Sequence, residues 1–247
     1  MVATEFFKNP THLCMRFDGL PDHDHVQSNQ YLIIDNDKGM LLDPGGAKQF
    51  SNLMVDLIAY LPMENLEYIF LSHQDPVVGA GLSGFLLMTS AKVCISAIWE
   101  RFIPSITSQS VSAHRLITIP DEGMRLILGK AELLLVPAHF LPAPSNFQVY
   151  DPISKTLFSG DLGASFFPQD AELPSVTDFD AHVKYMEGFH RRYMTSNKAC
   201  VRWATMVRAL DLERIAPQHG AMLEGKPIVN RFVEWITHLQ CGIDLMG

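Results

Sequence analysis

Short apolar runs and longer helical stripes succeed one another twice along the chain. Residues 13–17, 30–34 and 39–42 read as consecutive strands, with Asn36-Asp37-Lys38-Gly39 as the turn between the last two. Asp43-Pro44-Gly45-Gly46 then breaks the sheet. Residues 48–61 carry Phe50, Leu53, Met54, Leu57, Ile58 and Leu61 at helical spacing, which predicts an amphipathic helix. Residues 67–71 form a strand apolar on both faces. Residues 93–96 and 115–119 are further strands, separated by a helix over 97–103. A second series of strands is predicted at 124–128, 132–136, 147–150 and 156–159. Asp121-Glu122-Gly123 and Asp151-Pro152-Ile153-Ser154 supply its turns. Helices are predicted at 180–194, 199–210 and 228–239, with a short strand at Ile215-Ala216 before the last of them. No low-complexity linker divides the halves. The pattern predicts one domain over residues 1–247, an α/β four-layer αββα sandwich.

Four of these runs lead straight into a residue that can bind metal. They reach Ser72-His73-Gln74-Asp75, Pro137-Ala138-His139, Ser159-Gly160-Asp161 and Pro217-Gln218-His219. Strand ends are rigid and the loops after them are open, so α/β scaffolds carry their chemistry there. Each residue also has a plainer reading. Asp75-Pro76 suits a turn or helix cap, Asp161 a turn, and His219 a satisfied, partly buried histidine. His139 is either a ligand or a support for its loop. His190 lies on the predicted helix 180–194 with His182, Met186 and Tyr193, and reads first as a packed structural residue. His23 and His25, in a polar loop, suit an adventitious ion. Taken together, several histidines and two aspartates at separate strand ends suit iron or zinc, since imidazole and carboxylate bind both.

Composition narrows the function classes. Hydrophobic residues make up 47% and charged residues 19%, as in a compact globular chain. The net charge of −8 without a basic run argues against nucleic acid or an anionic membrane as partner. The densest basic stretch, 184–202, reads as a solvated helix face. No stretch approaches the ~18 apolar residues of a membrane span. Cys14, Cys94, Cys200 and Cys241 show no CxxC spacing and read as buried reduced thiols. Residues 1–10 lack the basic and apolar regions of a signal peptide. The expected location is therefore the cytoplasm.

The series Asn29-Gln30-Tyr31-Leu32-Ile33, Leu42-Asp43-Pro44-Gly45, Leu71-Ser72-His73-Gln74-Asp75-Pro76, Leu157-Phe158-Ser159-Gly160-Asp161, Phe189-His190-Arg191-Arg192-Tyr193-Met194 and Ile215-Ala216-Pro217-Gln218-His219-Gly220 covers nearly the whole chain. In that order it resembles the metallo-β-lactamase superfamily. More narrowly it resembles the flavodiiron proteins and their flavodoxin-less relatives, the oxygen-binding di-iron proteins. The resemblance implies an αββα metallo-β-lactamase fold with a dinuclear site at one edge between the sheets. The family's first motif, H-x-[EHD]-x-D-H, falls here on His73, Asp75, Val77 and Val78, so its last two ligands are aliphatic. The next family ligand, counted back from Phe147, Tyr150 and Asp151, falls on Pro142, three residues after His139. Asp161 and His219 match the remaining two. The implied metal ligands are His73, Asp75, Asp161 and His219, with His139 and then His190 as replacements for the missing donor.

Three functions compete on this reading. The first is a non-haem iron protein, with one or two ions, that binds or senses O2 or NO. Zinc is the other metal to consider, and the chain has no flavodoxin-type phosphate loop, so no flavin is expected in it. A redox or signalling protein and a second copy of the chain are the protein partners considered. The second is a metal-poor relative kept as an interaction or signalling module, suggested by Val77, Val78 and Pro142. The third is a zinc hydrolase, weakest because Val77 occupies the position of the family base. These readings include both enzymatic and non-enzymatic functions.

Overall fold

The computed structural model describes residues 2–19, 26–107, 111–168 and 175–246. Its residues divide into two compact units, Met1–Leu135 and Val136–Gly247. The mixed α/β class and the two multi-stranded sheets, of seven and six strands, agree with the sequence pattern.

The first unit opens with an antiparallel series: β1 (Val2–Lys8), β2 (His12–Gly19), β3 (Ser28–Asp35) and β4 (Lys38–Leu42). It continues in parallel through β5 (Leu66–Phe70), β6 (Lys92–Ser96) and β7 (Leu116–Ile119). The sequence pattern does not predict β1. A register shift between Glu5 and Phe7 breaks its alternation, and the strand is nowhere fully buried. Helices α1 (Phe50–Ile58), α2 (Pro76–Gly79), α3 (Leu82–Met88) and α4 (Ile103–Ile106) connect the parallel strands. Strand β3 is buried at every position, as a central strand should be. Leu32, Leu41, Ile69 and Val93 of the sheet pack with Leu53 and Leu57 of α1 and Phe85 of α3. The expected helix at 97–103 is instead a turn, a 3-10 turn at Glu100–Phe102 and α4. The Ser96 hydroxyl accepts from the Ile98 N–H at 3.2 Å, which competes with helix in the first turn.

The hairpin of β8 (Met124–Leu128) and β9 (Ala131–Pro137) closes this unit. Asp35, buried at the end of β3, ties the hairpin turn down. Its Oδ2 accepts from the N–H groups of Lys130 (2.7 Å) and Ala131 (3.0 Å), and from the Asn36 amide at 2.7 Å. Its Oδ1 lies 3.0 Å from His12 Nδ1. Gly129 has φ +60, and a Cβ there would lie 2.2 Å from the Asp35 carbonyl oxygen, so the turn admits only glycine.

The second unit contains β10 (Phe147–Asp151), β11 (Thr156–Gly160), β12 (Arg214–Pro217) and β13 (Leu223–Glu224). Strands β10–β11 and β12–β13 are antiparallel, and β11–β12 parallel. Its helices are α5 (Phe179–His182), α6 (Glu187–Tyr193), α7 (Asn197–Val207) and α8 (Lys226–His238). The single helix expected over 180–194 is broken at Val183–Tyr185. The Phe166 N–H takes the Tyr185 carbonyl at 3.0 Å, out of the helical ladder.

Burial pushes the Asp35 carboxyl up, but its bonds from His12, Asn36, Lys130 and Ala131 outweigh that and hold it below the ordinary 3.8. Asp35→Ala is expected to cost about 3 kcal/mol in urea unfolding at pH 7, because it strands buried partners. The wild-type contribution is full above the ordinary carboxylate pKa and is lost as pH falls through the lowered one. The difference between wild type and variant should therefore narrow only below pH 3.8. A difference under about 0.5 kcal/mol at pH 7 would contradict this role.

Candidate metal centre

In the first unit, the chain leaving β5 is fixed from both neighbouring strands. Asp43, just past β4 and at φ +50, accepts the Ser72 N–H on Oδ1 at 2.8 Å. The Leu71 N–H donates to the Cys94 carbonyl on β6 at 3.0 Å. His73 follows, buried, with Nδ1 2.9 Å from the Ser72 hydroxyl. Asp75 is exposed, and its Oδ1 accepts the Val77 N–H at 2.8 Å, which caps α2. This is the capping role that Asp75-Pro76 suggests as the plainer reading. Val78 lies wholly inside the apolar core and Val77 is half-buried. Neither offers a donor atom at the two ligand positions it occupies.

In the second unit, Asp161 follows β11 directly and His219 follows β12. The strands are parallel neighbours, so their ends emerge side by side. A register shift between Phe158 and Gly160 sets Gly160 opposite Pro217, and the Gln218 N–H donates to the Gly160 carbonyl at 2.7 Å. Two loops then lock together: the Ser165 N–H donates to the His219 carbonyl at 3.1 Å, and the Ala221 N–H to the Ser165 hydroxyl at 3.1 Å. Gly220, at φ +79, passes so close that a Cβ would lie 2.1 Å from the Ser165 carbonyl oxygen. His219 Nε2 ends 3.5 Å from Asp161 Oδ1, with both residues about 8% exposed. Two donors each about 2.1 Å from one ion lie about 3–3.5 Å apart. The pair therefore fits one metal ion with a histidine nitrogen and a carboxylate oxygen. The Phe166 ring stacks on His219 at 5.6 Å and 27°, which fixes the imidazole plane.

His190 is placed differently. It is fully buried on α6, and both ring nitrogens bond the backbone of its own unit. Nδ1 donates to the Met186 carbonyl at 2.9 Å, and Nε2 accepts the Gly163 N–H at 2.9 Å. Burial pushes its pKa down to about 4, with the Met186 carbonyl and Asp161 opposing, so it is neutral at pH 7. That tautomer leaves neither nitrogen for a metal. His190 instead braces the turn that begins at Asp161. His139 is half-buried, with its ring edge-on to Phe147 at 5.2 Å. It helps line a cleft of about 430 Å³ with Phe140, Ser196, Lys198, Arg202 and Trp203, which none of Asp161, His190 or His219 lines. His23 and His25 lie outside the described residues. The anchoring bond of Asp43 and the stacking of Phe166 are not visible in strand-end spacing. Asp43 stands in the quoted Leu42-Asp43-Pro44-Gly45 segment, but its partner is 29 residues away.

The model of the ODP family beta lactamases matches residues 26–220, which run through both units. The chain belongs to the ODP family beta lactamases. Among solved structures, that of the chemotaxis sensor ODP in a peroxy diiron species is similar over 100% of this chain and 98% of that one. The identity is 38% and the TM-score 0.88. The flavodiiron core of Flv1 from Synechocystis sp. PCC6803 matches 95% of this chain and 61% of its own, with 18% identity and a TM-score of 0.76. That likeness concerns the fold, which is the metallo-β-lactamase fold expected from the sequence. An uncharacterised protein of Methanocaldococcus jannaschii is 25% identical over 210 residues, 83% of this chain. The chain spans 51% of that relative's length. No helix among the described residues is long and apolar enough to cross a membrane.

In this ODP-family chain, His190→Ala removes the acceptor of the Gly163 N–H and leaves a cavity beside Trp235, whose ring is 5.4 Å away. Urea unfolding is expected to show a loss of about 3 kcal/mol. A loss below about 1 kcal/mol would show that the imidazole does not brace the turn.

Proposed function

We propose that this chain binds non-haem iron as a di-iron centre and senses O2 through it. The observation that carries the reading is the buried Asp161–His219 pair, 3.5 Å apart at the ends of two parallel strands, in a chain 38% identical along its length to a diiron chemotaxis sensor. The residues that would hold the iron are His73, Asp75, Asp161 and His219. His139 is left out because its ring lines a cleft that the pair does not, and His190 because the backbone occupies both its nitrogens. Ferrous iron bound there would supply the redox centre that takes up a diatomic ligand. The chain's own part is to hold the donors still. His190 fixes the turn after Asp161, Phe166 the His219 ring, and Asp43 the peptide before His73. Val77 stands where the family's hydrolytic base would be, which supports ligand binding over zinc hydrolysis. The partner we assign is a signalling protein, by likeness to the chemotaxis sensor.

A second reading, a metal-poor interaction module, draws on Asp75 capping α2 and on Val78 packed in the core.

Ferrous loading under anaerobic conditions separates the two. The wild type is expected to retain about two irons per chain after desalting and to develop a visible absorption band on adding O2. Asp161→Ala should lose most of the iron and the band, His219→Ala about half of the iron, and His139→Ala neither. Retention below about one-tenth iron per chain, without an absorption change, would contradict iron binding and favour the metal-poor reading.

A further inference from the structure

Outside the candidate centre, two cysteines far apart in sequence meet inside the second unit. Cys200 lies on the buried face of α7, and Cys241 follows α8 and starts a 3-10 turn over Gly242–Leu245. Their sulfurs are 3.8 Å apart across 41 residues, and both residues are 0% exposed. The geometry points to a peroxide-responsive thiol pair: we propose that Cys200 and Cys241 form a reversible disulfide, with Cys241 as the reacting sulfur.

The two sulfurs are not equivalent. Cys241 Sγ accepts the Asp244 N–H in the cap of the 3-10 turn, so its environment already donates to it. The Cys200 S–H facing it lowers the Cys241 pKa, against burial and the Asp244 carboxylate. The same contact, with burial, raises that of Cys200. Cys241, which also accepts the Asp244 N–H, is therefore the stronger acid of the two and the readier source of the thiolate that oxidation requires. Cys94, buried in β6, is pushed up by desolvation.

Access comes from the turn that covers Cys241. Ile243, Leu245 and Met246 are 63%, 44% and 79% exposed, so little apolar burial holds it. Its anchors are the bond from the Ile243 N–H to the Thr195 carbonyl (2.9 Å) and that from the Asn197 N–H to the Asp244 carboxylate (2.6 Å). Opening this one turn uncovers the Cys241 sulfur. The Cys241 thiolate attacks hydrogen peroxide, the O–O bond breaks, and sulfenic acid forms with loss of hydroxide. Cys200 sulfur then attacks Cys241 sulfur. The S–S bond forms, the S–O bond breaks, and the second hydroxide leaves. The two thiol protons convert both hydroxides to water, so two thiols and one peroxide give one disulfide and two waters. The product fastens the 242–245 turn to α7, beside Ser196 and Lys198 of the cleft that His139 lines.

The test oxidises the reduced full chain with one equivalent of hydrogen peroxide in a chelating buffer. Thiols are then counted in denaturant and the unreduced peptides mapped. Two of the four thiols should disappear, reappear on dithiothreitol treatment, and map to one peptide pair containing Cys200 and Cys241. Cys200→Ser should leave a dimedone-reactive sulfenic acid at Cys241, and Cys241→Ser should abolish thiol loss, with circular dichroism checking that each variant folds. Survival of all four thiols, oxidation of Cys14 or Cys94 at the same rate, or coupling only in urea would overturn the proposal. The wild-type map decides the matter even if a variant misfolds.

Discussion

The bond from the Gly163 N–H to the neutral His190 imidazole is the constraint on which the second unit's chemistry depends. Asp161 sits at the start of a turn with glycines on either side at positive φ, Gly160 at +59 and Gly163 at +96. Such a turn has many conformations open to it unless something selects one. A buried imidazole, kept neutral by desolvation and aimed by the Met186 carbonyl, selects it. A protonated ring would lose its acceptor, so the low pKa and the brace are one design. The loop locks at Ser165 and Gly220 then carry the same rigidity to His219.

The first unit uses different means for a similar end. Its strand-end residue, His73, is held through Asp43, whose carboxylate replaces a missing strand neighbour for the Ser72 N–H. Elsewhere Asp35 does the same for the β8–β9 turn. Both are buried acids that satisfy backbone donors where a sheet ends. Each carboxylate spares backbone N–H groups from being buried without an acceptor, and the bonds it accepts offset its own desolvation.

Much of this was legible in the sequence, for particular reasons. The apolar runs Tyr31–Ile34 of β3, Tyr68–Phe70 of β5 and Leu157–Phe158 of β11 stand out, and the residues after β5, β11 and β12 announce themselves by type. The breaks were less visible. Helix 180–194 keeps its apolar stripe across the interruption, and only the distant Phe166 N–H reveals why Tyr185 leaves the ladder. His190 fits a packed histidine by position, but its two backbone partners, one of them 27 residues away, are a tertiary fact. Asp75 carries both a ligand's chemistry and a cap's, and local geometry decides only that the cap is made.

Where iron binds decides between the two readings. Crystals of the chain grown anaerobically with ferrous iron, measured at the iron absorption edge, give that answer directly. An anomalous peak is expected within bonding distance of Asp161 Oδ1 and His219 Nε2, about 2.1 Å from each. No peak there, or iron bound only elsewhere, such as at His139, would contradict the iron-binding reading.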